Sequence, residues 1–600
     1  MGVFLRTKSI KGTPLVQLVQ SYRDEQAQPR QRVIASLGDA RLPEGEKRAI
    51  AQAVERRLQG AQELFAEELS SEASAWVARI VALAGRSKAA APLGASTVDG
   101  VLLDEIETDQ VVELGPQLVA LEAWEKLGLT PMLEALGLNA SAIATAQLMV
   151  ANRLIEPLSE WALIEWSHRT ALPELLGMRI TKTAKDRLYR TSDELLEHRA
   201  VIEEKLRTRE ADLFSRTRKV ILYDVTNSHF EGLCQSNPKA LHGKNKQKRN
   251  DCRQVAIGMA FDERGLSLAH EVFEGNIADT KTLELMLNRL EIIKDGCKPV
   301  VILDAGFASK ANIELLKERS YSYIINVTRG SRAKYAQSFA SGEFEELAGR
   351  EAEQKIEVKR IVDPEDEDSR LVLCRSAQRR FKEEAMISKA EERFLADVKA
   401  LRELIGKGRL RRASIIERRI GALQKKHPKV QRFYKLSHKD GGLLAVRNEA
   451  AMEDAVSLCG DYVLKTDQTL SAAELWALYM TLLKAETGFR MLKSSLGLRP
   501  NFHQLEGRVD GHIFITVLAY HLLSWVREHF QRQGDLREWS TIVRLLRTHS
   551  VVSTRLKLKD GRILQIRKPS LPDAEQQRVY DLLGIDWKRA FPPVKSELPA

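Results

Sequence analysis

The sequence predicts an α/β fold with a mixed β-sheet flanked by helices, and three observations predict it. Two short apolar runs, residues 220–223 in KVILYDVT and 300–303 in PVVILDAGF, each lead straight into an aspartate, Asp224 and Asp304. Continuous apolar runs with β-branched members mark strands buried on both faces. The segments from 219 to 327 then read β-β-β-α-β-α-β, with a tight turn at 262–265 between the second and third strands. Finally, the segments before and after this block change to the 3.6-residue period of amphipathic helices.

The elements are expected as follows. Strands occupy 220–226, 254–261, 266–273, 299–303 and 321–327, and helices 279–294 and 310–319. Three antiparallel strands followed by parallel additions is the order of a ribonuclease H-like core. A carboxylate at the end of a buried strand is costly unless it is paired or holds a metal. For one such aspartate a turn or cap is the plainer role. Two in the same form point further. On neighbouring parallel strands about 4.8 Å apart, they share the crevice at the strand ends where open α/β sheets place their sites.

The expected domains are 1–90 (two strands at 16–22 and 32–37, then helices), 91–215 (mainly helical and DNA-binding), 216–330 (first part of the core), 331–467 (an insertion), 468–535 (second part of the core) and 536–600, with a hairpin about Asp560-Gly561. A small-residue linker is expected at 87–96. The segment VLLDEIETD, 101–109, is a decoy that repeats the strand-then-Asp form at Asp104, so that form alone is only moderately specific. Helices are expected at 141–154, 192–214, 471–497 and 508–530. Ser471 and Glu474 form a capping box for the third of these.

Lys plus Arg outnumber Asp plus Glu by 93 to 82, a net charge of +11, which favours a polyanionic partner. The five cysteines form no C-x-x-C pair, which predicts reduced thiols, a cytoplasmic setting and no structural zinc. The longest apolar run, 513–526, includes His521 and Ser524 and is too short to span a bilayer, so no membrane partner is expected. No phosphate-cradling P-loop or H-E-x-x-H metalloprotease motif occurs.

A third acid comes from YMTLLKAETGFRMLK, 479–493. At about 100° per residue, Tyr479, Glu486, Arg490 and Lys493 fall on one helix face. The plain alternative is a solvated face with a Glu486–Arg490 pair. The spacing of Tyr479, Glu486 and Lys493 resembles the Y-R-E-K signature of DDE transposases of bacterial insertion sequences, of the IS-four type. Asp224 in YDVT resembles that family's first acid and Asp304 in DAGF its second. GNIADTKTL, 275–283, and GHIFI, 511–515, also resemble segments of the group. The signature's Arg position holds Leu482, and Arg490, one turn past Glu486, is the cation available in its place.

The resemblance implies a catalytic triad of Asp224, Asp304 and Glu486 holding two Mg²⁺ ions, with Mn²⁺ able to substitute. It implies that Tyr479, Arg490 and Lys493 contact DNA phosphates, and that 331–467 is an insertion interrupting the ribonuclease H-like core. The implied activity is metal-dependent cleavage at the element's ends and strand transfer into target DNA. The implied partners are double-stranded DNA (terminal inverted repeats and target) and a second copy of the chain, in the cytoplasm at the nucleoid. The basic loop with Lys244, Lys246, Lys248 and Arg249 is expected to meet phosphate; a solvated hairpin tip is its alternative. Trp476 either stacks on a base or fills the core. His242, His503 and His512 are expected as DNA contacts or structural groups, and Asp279 as a helix cap. Two other functions stay open: a nuclease of this fold that only hydrolyses, and a DNA-binding repressor with structural acids. A buried triad kept without metal repels itself, which weighs against the repressor.

Overall fold

A computed structural model describes residues 3–598 apart from 11–12, 24–27, 39–41, 44, 59–68, 87–96, 99, 180–184, 215–219, 244, 246–248, 291–298, 348–354 and 440. The expected linker and Lys244, Lys246 and Lys248 therefore lie outside the described residues. By contact the chain divides into two units. One comprises 1–109, 553–567 and 594–600, and the other 110–552 and 568–593.

In the smaller unit, three antiparallel strands, Val3–Ile10, Thr13–Arg23 and Pro29–Ser36, stand where two were expected. The first strand's core-facing residues are sparse, which hid it. Leu18, Ile50, Val54, Val77 and Ile80 close a small core between this sheet and the helices Lys47–Leu58 and Ser71–Arg86. Asp104 lies in a 3-10 turn at 103–105 rather than at the end of a buried strand, so it is no counterpart of Asp224. The hairpin about Asp560–Gly561 is present, with Gly561 at φ +90° where a Cβ is disfavoured. Its strands are Ser550–Lys557 and Ile563–Pro569.

The larger unit is built on a nine-stranded sheet. Its spatial order is Glu345–Leu347, Ile356–Asp363, Asp366–Ser376, Asp461–Thr466, Ser322–Asn326, Val300–Leu303, Val220–His229, Gln254–Phe261 and Ser267–Glu274. The fifth to seventh of these, Ser322–Asn326, Val300–Leu303 and Val220–His229, are parallel; the remaining pairs are antiparallel. Every residue of Gln254–Phe261 and Ser322–Asn326 is buried, as the apolar runs required.

Strands within 345–376 and 461–466 extend this one sheet. Between them, the helices Ala377–Gly406 and Ala413–Lys426, a hairpin (Tyr434–Lys439 with Gly442–Arg447) and the helix Glu449–Ser457 close a core of their own about Phe394, Ile416, Ile420 and Phe433. Helices between 115 and 214 share the main core with the helix Glu506–Arg532. That helix is long and apolar enough to cross a membrane, but its apolar stretch is 94% buried inside the protein. The expected helix 192–214 is two, Lys185–Glu197 and Arg199–Phe214.

Candidate active site

The Asp224 and Asp304 strands are neighbours, parallel and in register, with Leu303 opposite Tyr223. Asp304 and Asp224 are the next residue on each strand, so their Cα atoms stand about one strand spacing apart, ~4.8 Å. Tyr223 is fully buried and Asp224 half-buried; Asp304 emerges into solvent and opens a 3-10 turn, 305–307. Asp224 Oδ1 accepts a hydrogen bond from the Val225 amide at 2.8 Å. Asp279 begins the helix Asp279–Leu290, and its Oδ2 lies 3.0 Å from where a Cβ on Gly306 would sit. A side chain at 306 would thus push on that carboxylate just beyond Asp304.

Glu486 lies on the helix Leu482–Ser494, which packs on the Asp224 strand. A cleft of about 360 Å³ is lined by Asp224, Thr226, Glu486, Arg490, Lys493 and Arg499, among others. The first acid, the third acid and two of the expected cations therefore face one space. The Lys493 ammonium lies 5.5 Å from the centre of the Phe489 ring. Gly488 lets the helix approach: a Cβ there would come within 2.8 Å of Tyr520 Oη and 2.9 Å of Phe261 Cε1.

Tyr479 is not among the residues lining that cleft. The expected single helix 471–497 is two, Ala472–Met480 and Leu482–Ser494. Thr481 marks the break: its amide bonds the Leu478 carbonyl three residues back, and its hydroxyl donates to the same carbonyl at 2.6 Å. Such local competition breaks the regular ladder. The Tyr479 Oη instead accepts a hydrogen bond from Asn326 Nδ2 at 3.0 Å, and Asn326 follows Ile325, the register partner of Leu303, so the hydroxyl stands near Asp304. Burial, then the charge of Asp304, pushes its hydroxyl pKa well up.

Asn326 and Asp304 line a second cleft of about 330 Å³ with Arg332, Arg379, Asp461 and Tyr462. Arg332 and Arg379 both pair with Glu383, at 3.2 and 3.0 Å. Burial raises the Asp461 carboxyl to about 6. Asn326, Arg332, Arg379, Asp461 and Arg499 were missed from sequence. Each is an ordinary residue at an element's end, and only its register with distant strands gives it a place here.

Trp476 donates its indole N–H to Tyr462 Oη at 2.8 Å and packs against the main core, the second of its two expected roles. Arg249 forms a fork with Asp251 at 2.9 Å, both exposed. Lys239, at the base of the same loop, is tied to Asp510 at 2.7 Å and Glu506 at 2.9 Å.

Glu160, His503 and His512 bring one ligand atom each within 4.8 Å of one another. Burial opposes ionisation of Glu160, but the hydrogen bond and charge of His503 outweigh it and hold the carboxyl at about 2. Burial, then Arg153, keeps His512 neutral. The buried Arg153 guanidinium stands 3.3 Å from His512 Nδ1. A fixed cation in contact with one of three ligands opposes a divalent ion there. The trio is a structural contact, in line with the expectation for these histidines.

A family model described as "Transposase DDE domain" matches residues 215–522, just over half of the chain. One described as "IS1634 family transposase, N-terminal domain" matches 5–72. No curated protein matches. Among solved structures, a piggyBac transposase synaptic complex with hairpin DNA is similar at 10% identity, over 68% of this chain and 70% of that one, with a TM-score of 0.35. A Mos1 transposase paired-end complex with the left transposon end is similar at 12% identity, over 28% and 59%, with a TM-score of 0.14. Likenesses this loose carry no weight below. With the family match spanning the sheet, both aspartates and Glu486, the chain belongs to the DDE transposases of insertion sequences.

Proposed function

We propose that this transposase cuts DNA at the terminal inverted repeats of its own element and joins the freed ends to target DNA, with Asp224, Asp304 and Glu486 as the catalytic acids. The observation that supports this most is the in-register parallel pairing of the two aspartate strands, with Glu486 across the cleft from Asp224. On this reading the strands from 220 to 326 form a ribonuclease H-like core and 331–467 is its insertion. The protein works as a homodimer, one copy for each end, at the nucleoid in the cytoplasm.

The donor set suits Mg²⁺, with Mn²⁺ as a substitute: three carboxylates, hard oxygens, at a solvent-reached strand edge. Two such ions bound by Asp224, Asp304 and Glu486 would supply Lewis-acid activation of the nucleophile and charge relief at the leaving oxygen. The chain's own groups do the rest. Arg490 and Lys493 offset phosphate charge in the Asp224 cleft and fix the scissile group there. In cutting, a water oxygen bonds phosphorus, the P–O3′ bond breaks, and the 3′-oxygen leaves and is protonated. In joining, a 3′-hydroxyl replaces the water and gives up its proton, so one site serves both steps.

The test uses D224N, D304N and E486Q with end-bearing duplex and Mg²⁺. Each is expected to lower cutting by at least about 10³-fold, from lost charge stabilisation of a few kcal/mol, while end binding persists. Chelation by EDTA should stop both steps in the unmodified protein. A D224N protein that still cuts would remove the assignment. Cutting without joined products would leave a hydrolytic nuclease instead.

A further inference from the structure

We propose that Arg499 is a DNA-phosphate-binding residue of the Asp224–Glu486 cleft, acting beside Arg490 and Lys493. This rests on the catalytic reading above and extends it to a residue outside the Glu486 helix.

Arg499 lines the cleft with Asp224, Glu486, Arg490 and Lys493. Its Nη1 is buried and has no hydrogen-bond partner among the described residues. A guanidinium carries five donors in a fixed fork, and leaving a buried one unmet is unfavourable by about 1–3 kcal/mol. Where the guanidinium lines the cleft, it can offer a phosphodiester two parallel donors, the bidentate geometry arginine favours.

The residue is also held in place. On one side, Ser228 Oγ donates to the Leu498 carbonyl at 2.8 Å. On the other, the Asn501 amide donates to the His229 carbonyl at 2.9 Å, and the Glu231 amide to the Asn501 carbonyl at 3.0 Å. Residues 498–501 are thus clamped along the outer end of the strand that bears Asp224. Binding a phosphate there costs little ordering of the backbone. The charge of Arg499 is also felt by His229, whose pKa is lowered by burial, then by Arg249 and Arg499. That neighbourhood is one an anion would relieve.

The test compares the full-length protein with R499A and R499Q, on a duplex carrying the element's terminal repeat. Single methylphosphonates, which remove one phosphate charge each, are placed at successive positions. The expected result is a cutting rate at least about tenfold lower in both variants, and a salt dependence of binding shallower by about one unit of slope. One methylphosphonate position that slows the unmodified protein should slow neither variant further. Unchanged slope, or methylphosphonate effects that simply add to those of R499A and R499Q at every position, would overturn the proposal. So would loss of cutting in step with a lowered melting temperature in both variants. D224N run beside them separates the two readings: a D224N protein that cuts breaks the catalytic assignment, whereas a slope unchanged in R499A and R499Q breaks only this one.

Discussion

Gly488 is tightly packed on the helix that carries Glu486, and G488A is the sharpest test of how the third acid is held. An ideal Cβ there would sit 2.8 Å from Tyr520 Oη and 2.9 Å from Phe261 Cε1. Neither neighbour has room to yield. Phe261 is fully buried and Tyr520 2% exposed, and the Tyr520 hydroxyl donates to the Gly265 carbonyl at 2.5 Å. Ordinary carbon contact begins near 3.5 Å, so the helix must back away by roughly 0.6–0.7 Å. Overpacking of this kind costs about 1–3 kcal/mol, offset by about 1 kcal/mol from replacing a mid-helix glycine. The net effect on stability is therefore small, about 0–2 kcal/mol destabilising. The effect on chemistry is larger, because Glu486 lies two residues away on the same helix and catalytic groups tolerate only about 0.5 Å. A misplacement near 1 Å costs on the order of 10²-fold, so G488A should cut about 10- to 100-fold more slowly while binding end DNA normally. Single-turnover cleavage and thermal melting of the same preparation measure both. Full cutting activity together with a raised melting temperature would mean the helix is not pressed on this surface, and the reasoning would fail.

Three further substitutions test the second cleft and its surroundings. Asn326 donates to Tyr479 Oη, so N326A and Y479F should slow cutting by similar factors, of the order of tenfold, and the double variant no more than either alone; rates that multiply would show that the two act separately. Asp461 has its carboxyl raised to about 6 by burial. Its stabilising protonated form is present below the unfolded value of 3.8 and lost as pH rises through 6, so D461N should be more stable than the parent at pH 7–8 by about 1–3 kcal/mol and equal to it near pH 3.5. Denaturant melts at the two pH values decide it; equal stability at both would mean the carboxylate is well solvated or paired.

The two aspartate strands were legible because a strand buried on both faces must be apolar throughout, and the residue at which it turns polar marks its exit from the core. Val220–Tyr223 and Val300–Leu303 obey that rule, and their register follows. The Glu486 helix was legible by its spacing, but its neighbour was not. A turn at Thr481 divides the expected single helix into Ala472–Met480 and Leu482–Ser494, and Tyr479 bonds Asn326 rather than lining the Glu486 cleft. The outer strands of the sheet were harder still. Ile356–Asp363 alternates charged and apolar residues as a strand with one wet face does, and in sequence it merges with the charged block around it. Arg499 and Asn326 left no local signal. Their positions come from hydrogen bonds, of Asn326 to Tyr479 and of Leu498 beside Arg499 to Ser228, that reach more than 100 residues along the chain, which no window contains.

The clamp between Ser228 and Leu498 joins points 270 residues apart. At a synthesis rate of about 5–20 residues per second, roughly 15–55 seconds separate the emergence of the first aspartate strand from that of the segment which secures it. During that interval a nascent chain owns Asp224, and in time Asp304, but neither Glu486 nor its supporting edge. On the proposed catalytic reading, a polypeptide truncated anywhere before residue 486 lacks the third acid, and the cutting site is completed late, once most of the protein has been made.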